Sequence, residues 1–176
     1  EALPVLEANL ALCRRYWPQD EASILHAQSS LGTCFACLGR KEEALVVYRE
    51  IHARHVAIYG VSHKQSILSG NNLCAFMCRL KLWDESRSLL RDELLPAAER
   101  SLGNDHELTL ALNQNLAASL VGPRERTRDD VLVAESIMQD TLKRQRRVSG
   151  PAHPATCAAE GVLSTIQTYL ACIDSA

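Results

Sequence analysis

The sequence predicts an all-α fold, a right-handed α-solenoid of stacked antiparallel helix pairs with about seven to eight helices. Three observations predict it. A Gly-x-x-His element recurs at a near-constant step. Between its copies apolar residues follow the three-to-four spacing of one helix face, and no stretch alternates apolar with polar residues as a half-buried strand would.

The element reads Gly60-Val61-Ser62-His63-Lys64-Gln65-Ser66, Gly103-Asn104-Asp105-His106-Glu107-Leu108-Thr109 and Gly150-Pro151-Ala152-His153-Pro154-Ala155-Thr156. Trp17-Pro18-Gln19-Asp20-Glu21-Ala22-Ser23 is a degenerate fourth copy. With Asp20, His63, His106 and His153 taken as equivalent, the steps are 43, 43 and 47 residues. Each unit then holds two helices. The first, A, is expected over 22–38, 64–82, 107–121 and 155–173, and the second, B, over 1–16, 41–59, 84–102 and 129–148. In the B helix 41–59, Ala44, Tyr48, Ile51, His55 and Ile58 form one apolar stripe. Gly39, Gly60, Gly103 and Gly150 stand where a left-handed C-terminal cap is wanted, and Asp84, Thr109, Asp129 and Thr156 stand near helix starts.

Charge separates the two helix types. Residues 22–38 contain no Asp, Glu, Lys or Arg, whereas 41–59 carry Lys41, Glu42, Glu43, Arg49, Glu50 and Arg54. A helix without charge belongs between neighbours and one with a charged face belongs on the rim, so the A helices are expected inside and the B helices outside. Small residues recur where A and B must approach: Gly32, Cys74, Ala117 and Ser164 on A, Ala44, Ser86 and Ala134 on B. Two departures stand out. Extra residues around Gly122-Pro123-Arg124-Glu125-Arg126-Thr127-Arg128 lengthen one inter-helix loop, and the B helix holding Pro96 is one residue longer than its equivalents. Proline removes a hydrogen bond and crowds the preceding turn, so a π-bulge or bend is expected near 93–96.

Ser30-Leu31-Gly32, then Cys37-Leu38-Gly39-Arg40-Lys41-Glu42-Glu43-Ala44, Tyr48 and the Gly60-x-x-His63 closure together resemble the long tetratricopeptide (TPR) repeat of kinesin light chains. Asn72-Leu73 with Trp83-Asp84-Glu85-Ser86, and Asn115-Leu116-Ala117, fit the same template. The resemblance spans essentially the whole chain and implies one repeat domain over 1–176, with a half repeat 1–19, repeats 20–62, 63–105 and 106–152, and a terminal half repeat 153–176. It also implies that groove asparagines hold cargo peptides. Because Glu1 is not an initiator Met and the first segment resembles the second half of a repeat, the chain reads as a piece of a longer one. The apolar residues Val162, Leu163, Ile166, Tyr169, Leu170 and Ile173 of its last helix are expected to need a cover, from further repeats or another subunit.

Stacked A helices line a groove, and the residues one face away from their packing positions are candidates for contact with a peptide or partner protein: His26, Ser29, Ser30, Thr33, Asn71, Asn72, Ala75, Arg79, Gln114, Asn115, Ala118, Gly161 and Thr165. Ser30, Asn72 and Asn115 occupy one equivalent position, a polar ladder whose groups can donate and accept along a peptide backbone. The same side chains could instead bond within and between helices and only specify packing. The repeated histidines are a whole repeat apart, roughly 10 Å at helix-packing distances, too far to share a metal at about 2 Å. They read as turn residues. Cys34, Cys37, Cys74 and Cys78 fall on adjacent A helices, where four thiolates could hold zinc or form disulfides, but zinc ligands favour turns and Cys is a common small buried hydrophobe. No metal or cofactor is expected.

Net charge is −2, which gives no global field toward nucleic acid or an anionic membrane. The basic run Lys143-Arg144-Gln145-Arg146-Arg147 lacks interleaved aromatics and reads as a solvated face. No apolar run approaches the roughly 20 residues of a membrane span, and no signal peptide is evident. Seven cysteines, mostly within helical patterns, fit reduced thiols in a cytoplasmic setting. With no phosphate loop, nucleophile elbow or carboxylate pair, the expected function is non-catalytic binding. The alternatives are a structural subunit docking by its helical ends and an accessory TPR domain of a larger enzyme.

Overall fold

A computed structural model describes residues 2–174. Among them are eight helices and no strand: α1 (Ala2–Tyr16), α2 (Glu21–Cys37), α3 (Lys41–Tyr59), α4 (Lys64–Arg79), α5 (Trp83–Ser88 continuing through Leu89–Leu94 into Leu95–Ser101), α6 (Glu107–Val121), α7 (Arg128–Ser149) and α8 (Pro154–Asp174). The even-numbered helices are the A helices and the odd-numbered the B helices. The expected boundaries hold within two residues except at α4, which stops at Arg79 instead of running to Leu82. Lys81 there adopts φ 64°, a left-handed turn that residues 80–82, with no glycine among them, do not announce.

The Gly-x-x-His element is a helix stop followed by a helix start. Gly60 and Gly150 end α3 and α7 with φ/ψ of 83°/159° and 87°/161°. That is an extended region open essentially to glycine alone, and not the left-handed αL cap expected. Three residues on, each histidine caps the next A helix. Its Nδ1 accepts the backbone N–H of Gln65 (3.2 Å), Leu108 (3.1 Å) or Ala155 (3.2 Å), which places the ring proton on Nε2. Thr109 and Thr156 donate back to the Gly103 and Gly150 carbonyls at 2.8 and 2.9 Å. Asp20 does in the degenerate copy what the histidines do in the others, accepting from the Ser23 amide at 3.1 Å and its hydroxyl at 2.6 Å.

Two carboxylates take part in capping, Asp20 as an N-cap and Asp130 as the partner of the Thr127 cap. Asp20 is held below the usual aspartate range by its Ser23 bonds, and Asp130 by the Thr127 backbone and hydroxyl in a capping box. Both titrate lower folded than unfolded. Their contribution is therefore present above the ordinary aspartate pKa of about 3.9 and is lost as pH falls through the lower folded values. The thermal midpoint is expected to hold from neutral pH to about 4 and then to fall. The Asp20→Asn, Asp130→Asn double variant, still capped but not titrating there, should lose less.

In α5 the extra residue before Pro96 is absorbed as a π-helical turn, Leu89–Leu94, in which the Leu95 amide donates to the Leu90 carbonyl. Regular geometry is interrupted where the proline predicted it.

Contacts divide after Gly60 into two compact units. In the first, α2 packs against both α1 and α3, burying Leu10, Leu25, Leu31, Phe35, Ala44 and Ile51. Gly32 lets the helices approach at that crossing: a Cβ there would stand 3.0 Å from Val47 Cγ1, so the valine would have to give way. In the second unit α6 is sandwiched by α4, α5 and α7, and α8 packs on α7. Their shared core includes Ile67, Leu90, Leu94, Leu112, Met138 and Ile166. The small residues Cys74, Ser86, Ala117 and Ala134 are fully buried at the helix contacts as expected. Ser164 is exposed, since no helix of the described chain packs over it. The apolar row of α8 is also more covered than expected: Ile166 is buried, and Val162, Leu163, Tyr169, Leu170 and Ile173 lie half-buried against the core. No helix among the described residues is long and apolar enough to cross a membrane.

Candidate functional site

In the second unit the C-terminal ends of α4 and α6 and the middle of α8 converge on a cavity of about 340 Å³. α4 supplies Cys78 and Arg79, α6 Ala118 and Val121, α8 Val162, Thr165 and Ile166, and Trp83 closes one side from the start of α5. The helical period puts Ala118 and Val121 one turn apart on α6 and Val162, Thr165 and Ile166 on one face of α8, so these two helices each offer a short, mostly apolar stripe to the same space. Ala118 keeps that space open by having no side chain beyond Cβ. Trp83 is seated by Gly122, where a Cβ would lie 2.6 Å from ring carbons of the indole. Arg79 is exposed, with its guanidinium 5.8 Å from the centre of the Phe76 ring, so an apolar recess has a cation on its lining.

The sequence-derived candidates divide. Arg79, Ala118 and Thr165 line the cavity. Asn72 is exposed. Asn115 does not continue a ladder with it: its Nδ2 donates to Asn71 Oδ1 at 2.9 Å and to the Asn71 carbonyl at 3.4 Å, tying α6 to α4. Gln114 is likewise spent on Gln145 of α7 at 3.1 Å. Asn115→Ala is expected to cost about 1 kcal/mol in urea unfolding, whereas Asn72→Ala should stay within about 0.5 kcal/mol of the parent.

In the first unit, Ser30 and Thr33 bond back to the His26 and Ser29 carbonyls at 3.2 and 3.0 Å, and Thr33 also meets the Tyr48 hydroxyl at 3.3 Å. His26 is exposed and lines a separate cavity of about 420 Å³ with Asn9, Cys13, Ala22, Ser23 and Ala27, between α1 and α2. Of the cavity in the second unit, Trp83, Val121, Val162 and Ile166 were not groove candidates by sequence, and Cys78 was considered there only as a thiolate. Apolar residues at helical spacing read as core, and only the spacing of three helices shows that a gap remains between them.

Of the four cysteines, Cys74 and Cys78 serve packing. Cys74 and Cys78 are buried at the contact of α4 with α5. Their sulfurs lie 3.9 Å from the Ser86 carbonyl and 3.4 Å from its hydroxyl, and Cys78 donates to the Asn115 carbonyl at 4.0 Å. Burial pushes the Cys74 thiol up to about 12 and raises Cys78 as well, so both favour the neutral thiol over the thiolate that binds metal. Cys34 is half-buried and Cys37 exposed. No group of three or more His, Cys, Asp or Glu among the described residues could hold a metal ion.

The basic run is consumed by ion pairs. Arg144 meets Asp140 at 2.6 Å and Asp105 at 3.3 Å, Arg147 meets Asp105, and Arg146 meets Glu160 at 2.7 Å. These exposed pairs link α7 to residues 103–106 and to α8 and offset the charge of three of the four basic side chains.

Together these features define the class: an all-α, TPR-like solenoid of helix pairs, with the fold of kinesin light chain repeats. No family model matches the chain, and no curated protein does. Solved structures do. The chain resembles two crystal structures of a Podosopora anserina protein described as a kinesin light chain with nearly identical TPR-like repeats. One, of a form with a single substitution, has TM-score 0.75 and 18% identity over 95% of this chain and 76% of that one. The other has TM-score 0.72, with the same identity and coverage. It also resembles BtubC (BKLC) from P. vanneervenii, with TM-score 0.70 and 16% identity over 98% of this chain and 69% of that one. At this identity the likeness is one of fold.

Proposed function

We propose that the chain is a non-catalytic interaction module whose A-helix face in the second unit binds a peptide or a peptide-like segment of a partner protein. The observation that carries this reading is the apolar cavity at the meeting of α4, α6 and α8. A recess of this size and lining fits one large apolar side chain of a ligand, while exposed Asn72 can engage the ligand backbone and Arg79 a neighbouring carboxylate. The TPR-like neighbours support the reading by fold analogy.

The test is selection from a displayed random-peptide library on the immobilised chain, followed by affinity measurement. Recovered peptides are expected to share a large apolar residue, and filling the recess with Ala118→Trp or Thr165→Trp is expected to weaken binding at least about tenfold, or about 1.4 kcal/mol. Peptides without such a residue, or binding unchanged in both folded variants, would refute the assignment.

A second reading, docking by a helical end within a larger assembly, is favoured by α1. There Val5, Leu12 and Tyr16 form an exposed stripe opposite buried Leu10 and Cys13, continued by Trp17 at 59% exposure.

A further inference from the structure

The longest step between repeats, His106 to His153, exceeds the others by four residues, and the lengthened connection is the segment 122–127 joining α6 to α7. That segment reaches α8. The Arg126 guanidinium lies 4.2 Å from the centre of the Tyr169 ring, and its Nη1 donates to the Pro123 carbonyl at 3.1 Å. At the first residue of α7, Arg128 Nε donates to Asp174 Oδ1 at 2.7 Å. Arg126 of the lengthened connection and Arg128 at the start of α7 thus clasp the helix that carries Val162, Thr165 and Ile166 into the cavity.

Thr127 stands between the two clasping arginines. It is exposed, and its hydroxyl donates to Asp130 Oδ2 at 2.7 Å and accepts from the Asp130 amide at 3.1 Å. Arg124, three residues upstream, is exposed and has no ion pair among the described residues. An accessible hydroxyl with arginines at 124, 126 and 128 suits a protein kinase whose substrate cleft is lined by carboxylates.

We propose that Thr127 is a phosphorylation site for an arginine-directed protein kinase, and that its modification unfastens α8. The Thr127 oxygen attacks the γ-phosphorus of ATP. The new O–P bond forms as the bond to the ADP oxygen breaks, ADP leaves, and the hydroxyl proton passes to the kinase's base. The phosphate brings close to two negative charges to the oxygen that now bonds the Asp130 carboxylate, so the capping box opens. The phosphate takes the free amides at the start of α7 and offers Arg126 and Arg128 a stronger partner than an aromatic face or a single carboxylate. Tyr169 and Asp174 lose their holds, and the α8 wall of the cavity loosens. The site and the loosening stand apart from the groove reading; an effect on ligand binding rests on it.

The experiment incubates the full chain with ATP and an arginine-directed kinase, maps phosphate by mass spectrometry, and follows amide hydrogen exchange across 154–174. One phosphate on Thr127 is expected. It should be absent in Thr127→Asn, which keeps a capping side chain, and about tenfold slower to form in Arg124→Ala. Exchange in α8 should speed up on modification and slow again after phosphatase treatment. Modification of a free 121–133 peptide but not of the folded chain, or phosphate only at other residues, would overturn the site. Unchanged α8 exchange in the phosphorylated chain would overturn the unfastening. A phosphorylated chain with faster α8 exchange that still binds a display-selected peptide at full affinity would uphold this proposal and count against the groove reading.

Discussion

Leu112→Ala is expected to remove roughly 3–5 kcal/mol of stability. Leu112 is fully buried on α6, the helix sandwiched by α4, α5 and α7, in one cluster with Ile67, Leu90, Leu94, Leu116 and Met138. Truncation strips apolar atoms from a site closed on every side, and rigid helix pairs cannot collapse onto the space, so a cavity cost adds to the lost transfer energy. Leu132→Ala on α7, where the side chain is 37% exposed, should cost well under half as much. Urea unfolding of the two variants gives the comparison. Equal losses would contradict the inner and outer layering, which the charge-free A helices implied and the buried face of α6 bears out.

Gly122→Ala is expected to cost about 1–3 kcal/mol and to alter the cavity together with the fold. The new methyl would stand 2.6 Å from ring carbons of Trp83, far inside contact distance, so either the indole or the chain around Gly122 must shift. Because Trp83 lines the cavity, the change should be visible in its fluorescence. The chain has two tryptophans, so a Trp17→Phe background isolates the signal. An unaltered spectrum with unaltered stability would show that Trp83 does not rest on Gly122.

Much of the fold was legible because its signals are local. A glycine held at positive φ, a cap three residues later and charge confined to one face lie within a few residues of each other, and together they place helix ends within two residues almost everywhere. Even the π-helical turn of α5 was marked by Pro96 and one surplus residue. The exception, the end of α4, depends on Lys81 taking a left-handed conformation with no glycine to signal it.

The candidate site was legible only in part, for a physical reason. Arg79, Ala118 and Thr165 follow from helical phase alone. Trp83, Val162 and Ile166 do not, because whether an apolar residue fills the core or walls a recess depends on the gap between helices. Asn115 illustrates the same limit. Repeat equivalence aligns it with Asn72, yet its carboxamide reaches Asn71, one position away.

The recurring histidines cap helices of the scaffold, and the cavity between A helices is the place of recognition that we propose. The most direct test is the affinity of one display-selected peptide for three proteins: the parent chain, Ala118→Trp, and the triple variant His63→Asn, His106→Asn, His153→Asn, in which asparagine keeps a capping side chain. Binding is predicted to fall at least about tenfold in the first variant and to stay within about twofold of the parent in the triple variant. Loss of binding on replacing the histidines, with Ala118→Trp still binding fully, would contradict the account.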